Sequence, residues 1–197
     1  MQVKVKICGI RSVEAARAAV NAGADFLGFN FVPSSRRYIH PAIASGIINL
    51  VSDTVKIVGV FQDAKVNEVN KIASDLKLDY IQLHGNENNE YINKVGIPTI
   101  KFITLDDQPE KIRSDYFLLD RPKRGKGKMV DLEKASQLAA DFPLFYAGGL
   151  TPDNVLIVVK QVKPFAVDVA GGIETNGIQD IKKIIKFISN AKKISIN

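Results

Sequence analysis

Short runs of apolar residues alternate along the chain with stretches in which apolar residues recur every three or four positions. The first pattern predicts strands and the second helices. Strands are predicted over Val3–Cys8, Phe26–Phe31, Val55–Phe61, Tyr80–Leu83, Thr99–Ile103, Tyr116–Asp120, Leu144–Ala147 and Phe165–Val169. Helices are predicted over Val13–Ala22, Pro41–Val51, Lys65–Leu76, Glu87–Val95, Leu132–Ala140, Thr151–Gln161 and Ile178–Ala191. Ser12 reads as the N-cap of the first helix and Gly23 as its stop. Thr151-Pro152-Asp153 reads as an N-cap, a first-turn proline and an acid facing the helix dipole. Leu105–Arg113, between the fifth and sixth strands, is too short and polar to read as a helix.

Strands that alternate with helices pair in parallel, because each helix is the crossover to the next strand. Eight such units in 197 residues favour closure into one (β/α)8 barrel spanning 1–197. The expected fold class is thus α/β, a TIM-type barrel with an irregular or short segment between strands five and six. The rival is an open doubly wound sheet. It would carry G-x-G-x-x-G after the first strand, where this chain has Cys8-Gly9-Ile10-Arg11.

Composition narrows the function classes. With 46% hydrophobic and 24% charged residues the chain reads as globular, and no apolar run approaches the roughly 18 residues of a membrane span. The opening MQVKVKICGI is not a signal or transit segment, so a cytoplasmic protein is expected. One cysteine excludes an intramolecular disulfide, and two histidines supply metal sites poorly, so no metal is expected. The net charge of +6 is concentrated at Lys123, Arg124, Lys126 and Lys128, and at Lys182, Lys183, Lys186, Lys192 and Lys193. No nucleic-acid-binding motif accompanies them. The terminal cluster reads as a solvated helix face, and the first as an attractor for an anionic substrate. A monomer or homodimer, without nucleic-acid or membrane partners, fits these features.

In such barrels the chemistry sits at the C-terminal ends of the strands. Gly148-Gly149 and Gly171-Gly172 follow the last two strands, where exposed N–H groups can hold phosphate. The bland alternative is that they only end strands and permit turns. Alternation along strand one places Lys4, Lys6 and Cys8 on the inner face, with Asp168 on the closing strand as the partner a buried lysine requires. A nearby cation would favour the Cys8 thiolate and make it a candidate base. Asp120, ending strand six, is a candidate acid across the mouth, or a turn cap. Asp168 reads equally as a structural partner of Lys6 or as a direct participant. Arg37, in Ser35-Arg36-Arg37-Tyr38, can clamp a carboxylate or phosphate, and His84 can orient a loop.

As an ordered set, Lys6-Ile7-Cys8-Gly9-Ile10, Gly28-Phe29-Asn30-Phe31, Ser35-Arg36-Arg37-Tyr38, Gly59-Val60-Phe61, Gln82-Leu83-His84-Gly85, Leu118-Leu119-Asp120, Ala147-Gly148-Gly149-Leu150 and Pro164–Val169 resemble the phosphoribosylanthranilate isomerase family over essentially the whole chain. The resemblance implies a cofactor-free Amadori rearrangement of N-(5'-phosphoribosyl)anthranilate, in tryptophan biosynthesis. It assigns Cys8 as general base, Asp120 as general acid, Arg37 as clamp for the anthranilate carboxylate and Asp168 as a further active-site carboxylate. Phosphate falls to the backbone around Gly148, Gly149, Gly171 and Gly172.

Two segments depart from the family pattern. Ala170-Gly171-Gly172 replaces Ser-Ser-Gly, removing two hydroxyl donors. Arg124-Gly125-Lys126-Gly127 followed by Val130-Asp131-Leu132 replaces a Gly-Gly-Thr-Gly loop and Phe-Asp-Trp. A metal-dependent epimerase, an indoleglycerol-phosphate synthase and a barrel that only binds phosphosugars are the competing readings. Scarce histidines, the absence of an N-terminal extension, and the presence of both Cys8 and Asp120 count against them in turn.

Overall fold

The computed structural model describes residues 2–51, 53–121 and 129–194. The lysine- and arginine-rich segment 123–128, read above as an attractor for substrate, lies outside the described residues. Eight strands close into a parallel barrel in chain order. They are β1 (Lys4–Cys8), β2 (Phe26–Asn30), β3 (Lys56–Phe61), β4 (Tyr80–Leu83), β5 (Thr99–Ile103), β6 (Tyr116–Leu119), β7 (Leu144–Tyr146) and β8 (Ala166–Val169). The closure between β1 and β8 sets Lys6 directly opposite Asp168.

The helices are α1 (Val13–Asn21), α2 (Pro41–Ile48), α3 (Val66–Asp75), α4 (Asn89–Ile92), α5 (Leu132–Asp141), α6 (Val155–Val162) and α7 (Ile181–Ala191). Between β5 and β6 the chain makes one 3-10 turn, Pro109–Lys111. Local signals explain most boundaries. The Ser12 hydroxyl accepts from the Ala15 N–H to start α1, and Asp131 and Asp180 cap α5 and α7 the same way.

The strand period of two divides the apolar residues into two cores. Val5, Ile7, Leu27, Ile57, Ile81, Leu119 and Val167 face outward and pack under the helices. Phe26, Val58, Ile100, Leu118, Phe145, Ala147 and Ala166 fill the barrel interior. Its N-terminal end is plugged by aromatic rings in contact, among them Phe26–Tyr80 at 5.7 Å, Tyr80–Tyr116 at 5.7 Å and Phe145–Phe165 at 5.5 Å between centroids. With that end plugged, Lys6, Cys8 and Asp168 lie toward the C-terminal ends of the strands.

Four helices differ from expectation by three residues or more, the simplest being α2, predicted to Val51 and ending at Ile48. The helix predicted from Thr151 begins at Val155, and residues 152–154 form a turn. Asn154 is the reason, since its side chain accepts from the Thr151 N–H and donates to the Gly149 carbonyl. The helix predicted over Glu87–Val95 contracts to Asn89–Ile92. Glu87 turns inward instead, accepting from the N–H groups of Asp63 and Gly85 and pairing with Lys101 at 2.7 Å. Ile178-Gln179 is not helical. It forms strand β10 (Ile178–Gln179), paired with β9 (Glu174–Thr175) through Asn176-Gly177, both with positive φ. Among the described residues, no helix is long and apolar enough to cross a membrane.

Candidate active site

Two cavities open at the C-terminal ends of the strands. One, of about 540 Å³, is lined by the loops after β7 and β8 together with Arg36, Arg37, Asp120, Arg121 and Asp168. The other, of about 400 Å³, lies toward β1–β4 and includes Cys8, Asn30, Gln82 and His84. They share Arg37, Asp120, Asp168 and Ala170. Every site residue predicted from the sequence (Cys8, Asp120, Arg37, Asp168, His84, Gly148, Gly149, Gly171 and Gly172) lines one or both.

The floor is an ionic cluster. Lys6, 0% exposed, donates to Asp168 Oδ1 at 2.8 Å and to Gln82 Oε1 at 2.8 Å. Burial works against its charge, but Asp168 and Cys8 outweigh burial and hold its pKa above the ordinary lysine value. Gly28 makes room for this arrangement. A Cβ there would stand 2.9 Å from Cys8 Sγ and 3.2 Å from Lys6 Nζ. Lys4, predicted to share the inner face, instead emerges at the barrel's N-terminal end and pairs with Asp25 at 3.0 Å.

Cys8 and Asp120 stand at the ends of β1 and β6, separated round the rim by β7 and β8. The expectation of a thiolate favoured by a neighbouring cation is corrected here. Burial raises the Cys8 pKa above its ordinary value, more than Lys6 and Arg37 lower it, and Asp168 adds to the rise. Asp120 is raised too, first by burial and then by Asp168, against the Arg121 N–H that its Oδ1 accepts at 2.6 Å. An acid that keeps its proton to higher pH suits proton donation. His84 lies over Phe102 at 4.4 Å between ring centroids, and burial pushes its pKa down to about 4. It is neutral at physiological pH.

The two glycine loops meet. Gly148 and Gly149 have φ of +84° and +77°, a region costly for other residues. A Cβ on Gly148 would come within 2.7 Å of Asp120 Oδ1, and one on Gly172 within 1.8 Å of the Leu150 carbonyl oxygen. The N–H groups of Gly148 and Gly149 make no hydrogen bond among the described residues. Gly171 and Gly172 open a 3-10 turn, Gly171–Ile173, whose first N–H groups have no acceptor within the turn. The four glycines line one cavity together.

Sequence reasoning did not single out Gln82, Asn154 or Glu174 as contributors. Glu174 holds Arg37 through Nε–Oε1 at 2.7 Å and Nη2–Oε2 at 2.9 Å. Of the terminal lysines, Lys182, Lys186 and Lys193 are exposed as expected, and Lys183 and Lys192 are half-buried. Lys192 pairs with Asp25, Lys186 with Asp153, and Lys183 donates to the Glu174 carbonyl. Among the described residues, no three His, Cys, Asp or Glu side chains converge in a way that could hold a metal ion.

Compared with known proteins, residues 5–190 match the family described as N-(5'-phosphoribosyl)anthranilate isomerase. The protein of that name from Streptococcus mutans serotype c is 38% identical over 192 residues, covering 96% of this chain and 99% of that protein. Among solved structures, phosphoribosyl anthranilate isomerase from Thermotoga maritima gives a TM-score of 0.89 at 37% identity, covering 98% of this chain and 100% of that one. A phosphoribosyl anthranilate isomerase in complex with reduced 1-(o-carboxyphenylamino)-1-deoxyribulose 5-phosphate gives 0.86 at 36% identity, with coverage of 98% and 100%.

Proposed function

The chain belongs to the N-(5'-phosphoribosyl)anthranilate isomerase family, and on that premise we propose how its own residues carry the reaction. The enzyme converts N-(5'-phosphoribosyl)anthranilate to 1-(2-carboxyphenylamino)-1-deoxyribulose 5-phosphate, in tryptophan biosynthesis. The rearrangement needs one proton delivered to the furanose ring oxygen and one taken from C2'. The observation that carries the assignment is that a half-buried carboxyl and a buried thiol, Asp120 and Cys8, line the same cavity with Arg37, His84 and Asp168.

Asp120 donates its proton to the ring oxygen as the C1'–O bond breaks, leaving a protonated imine between C1' and the anthranilate nitrogen. The Cys8 thiolate then takes the C2' proton, and that C–H electron pair forms the C1'=C2' bond of the enolamine. Tautomerisation moves the C2' hydroxyl proton to C1' and gives the ketone. Proton exchange with solvent restores the acid and the thiolate. Lys6 is the counter-ion beneath Cys8, and Asp168 holds Lys6 in place. The raised thiol pKa makes the thiolate scarce but strongly basic. The N–H groups of Gly148, Gly149, Gly171 and Gly172 hold the phosphate, without the hydroxyl donors of the family's Ser-Ser-Gly. Arg37 receives the anthranilate carboxylate, and neutral His84 orients the rim through Gln82, 3.3 Å away.

Turnover of freshly generated N-(5'-phosphoribosyl)anthranilate, followed by loss of its fluorescence, tests the roles. Cys8→Ser and Asp120→Asn are each expected to lose about 10²- to 10⁴-fold in kcat. Full activity in a folded Cys8→Ser or Asp120→Asn protein would remove that residue from the mechanism.

A further inference from the structure

Arg37 makes an unusual use of its donors. A guanidinium offers five N–H groups in a rigid plane. Two of these, on Nε and Nη2, go to the carboxylate of Glu174, whose side chain is only 5% exposed. Arg36 donates to Glu174 Oε2 as well, at 2.8 Å, from an exposed position. Two guanidinium cations on one carboxylate leave a net positive charge at the cavity mouth. Nη1 of Arg37 makes no hydrogen bond among the described residues, and Arg37 lines both cavities.

The backbone around this pair is built to hold it. The aliphatic stem of Arg37 crosses Gly9, where a Cβ would stand 2.6 Å from Arg37 Cδ. Gly9 has φ of +78°, so the space above it is kept open by a residue type the conformation itself favours. Glu174 follows directly on the 3-10 turn Gly171–Ile173. Its N–H returns to the Gly171 carbonyl, and its own carbonyl accepts from Lys183 Nζ at 3.0 Å. The Asn176-Gly177 hairpin then fixes the strand that carries it. Glu174 is therefore tied by its backbone to one wall of the site and by its side chain to another.

We propose that Glu174 is a positioning residue for the isomerisation: it fixes one edge of the Arg37 guanidinium so that the Nη1 edge meets the aryl carboxylate already oriented. The inference rests on the reading that Arg37 receives that carboxylate. A free arginine would lose side-chain freedom on binding, and Glu174 has removed that loss beforehand. The alternative use of the same contact is competition, in which Glu174 occupies the arginine that the substrate needs.

Steady-state kinetics separate these. Wild type, Glu174→Gln, Arg37→Ala and the double variant are assayed with N-(5'-phosphoribosyl)anthranilate and with N-(5'-phosphoribosyl)aniline, which lacks the carboxylate. Glu174→Gln is expected to raise KM for the carboxylate substrate roughly ten-fold, with kcat within about two-fold. It leaves the aniline substrate unaffected and adds nothing in the Arg37→Ala background. A lower KM for the carboxylate substrate, or equal effects on both substrates, overturns the proposal. If Arg37→Ala treats both substrates alike, the reading of Arg37 falls as well. If Arg37→Ala discriminates and Glu174→Gln does not, only the proposal fails. Should Glu174→Gln fail to fold, Glu174→Asp carries the same comparison: it keeps the charge and shortens the reach, so a smaller KM increase confined to the carboxylate substrate is expected.

Discussion

Lys6→Met keeps most of the side-chain length and removes the ammonium from the floor of the site. Lys6 is fully buried, with Asp168 and Gln82 each at 2.8 Å. Its loss leaves the Asp168 carboxylate buried without a cation, a situation that costs about 3–5 kcal/mol. Set against a total stability of roughly 5–15 kcal/mol, that is a large fraction. At about 2–4 °C per kcal/mol for a chain of this size, Tm falls by roughly 6–20 °C. The control is Lys71→Met, since Lys71 pairs with Asp75 at 2.6 Å but both side chains are mostly exposed, at 73% and 57%. That variant is expected to stay within about 0.5 kcal/mol of wild type, because an exposed pair is screened and mobile. The chain has no tryptophan, so urea unfolding is followed by far-UV circular dichroism. Adding Asp168→Leu to Lys6→Met removes the orphaned charge and recovers most of the loss. A Lys6→Met deficit as small as that of Lys71→Met, or a double variant no more stable than Lys6→Met, would refute the argument from burial.

Activity is expected to follow a bell in kcat/KM, with both limbs displaced to higher pH than ordinary Asp and Cys values of 3.8 and 9.0. The active form holds Asp120 protonated and Cys8 ionised, so the acid limb reports Asp120 and the alkaline limb Cys8. Asp120→Asn should convert the bell into one rise toward the Cys8 value, and an unchanged acid limb in that variant would reject the assignment. His84 is neutral in the fold down to about pH 4, against 6.5 for its ordinary value. The unfolded chain binds the extra proton between those values, so stability falls as pH drops through that window, by up to about 3 kcal/mol. Urea midpoints of wild type and His84→Gln at pH 7.5 and 5 should show a smaller acid loss in the variant, and parallel losses would contradict this. Gly172→Ala, whose new methyl meets backbone at 1.8 Å, is expected to lose about 1–3 kcal/mol and to weaken inorganic phosphate inhibition. Gly46→Ala in α2, with open space around it, should be neutral or gain about 0.5–1 kcal/mol. Thermal melts compare the two directly, and equal effects would discount the backbone contact.

The barrel was legible because both periodicities are strong. A strand with Val5 and Ile7 outward and Lys6 and Cys8 inward states its two faces plainly. The Lys6–Asp168 pair followed from that alternation once the strands were closed into a ring. Contacts made by loops were hidden. Nothing near Glu174 in the chain points to Arg37, 137 residues earlier, because the pairing depends on how two rims meet. Asn154 was masked by Thr151-Pro152-Asp153, a better helix start on paper, which the Asn154 side chain converts into a turn. The Asn176-Gly177 hairpin carried its own signal, since Asn-Gly is a favoured two-residue turn. The helical period of the following isoleucines concealed it. The Cys8 thiol was misjudged because a neighbouring cation is visible in the sequence, whereas the depth of burial that opposes it is not.

The lysine–aspartate pair across the β1–β8 closure joins residues 162 positions apart. For a chain made on the ribosome, this has a temporal meaning. β1 emerges early, yet its inward lysine has no anion until β8 leaves the exit tunnel, and the barrel cannot shut around it alone. A nascent chain stopped after β7 therefore holds both Cys8 and Asp120 but lacks the charge that settles the floor between them. Closure of the barrel and acquisition of chemistry become one event in the life of the molecule, timed by the last barrel strand to be translated.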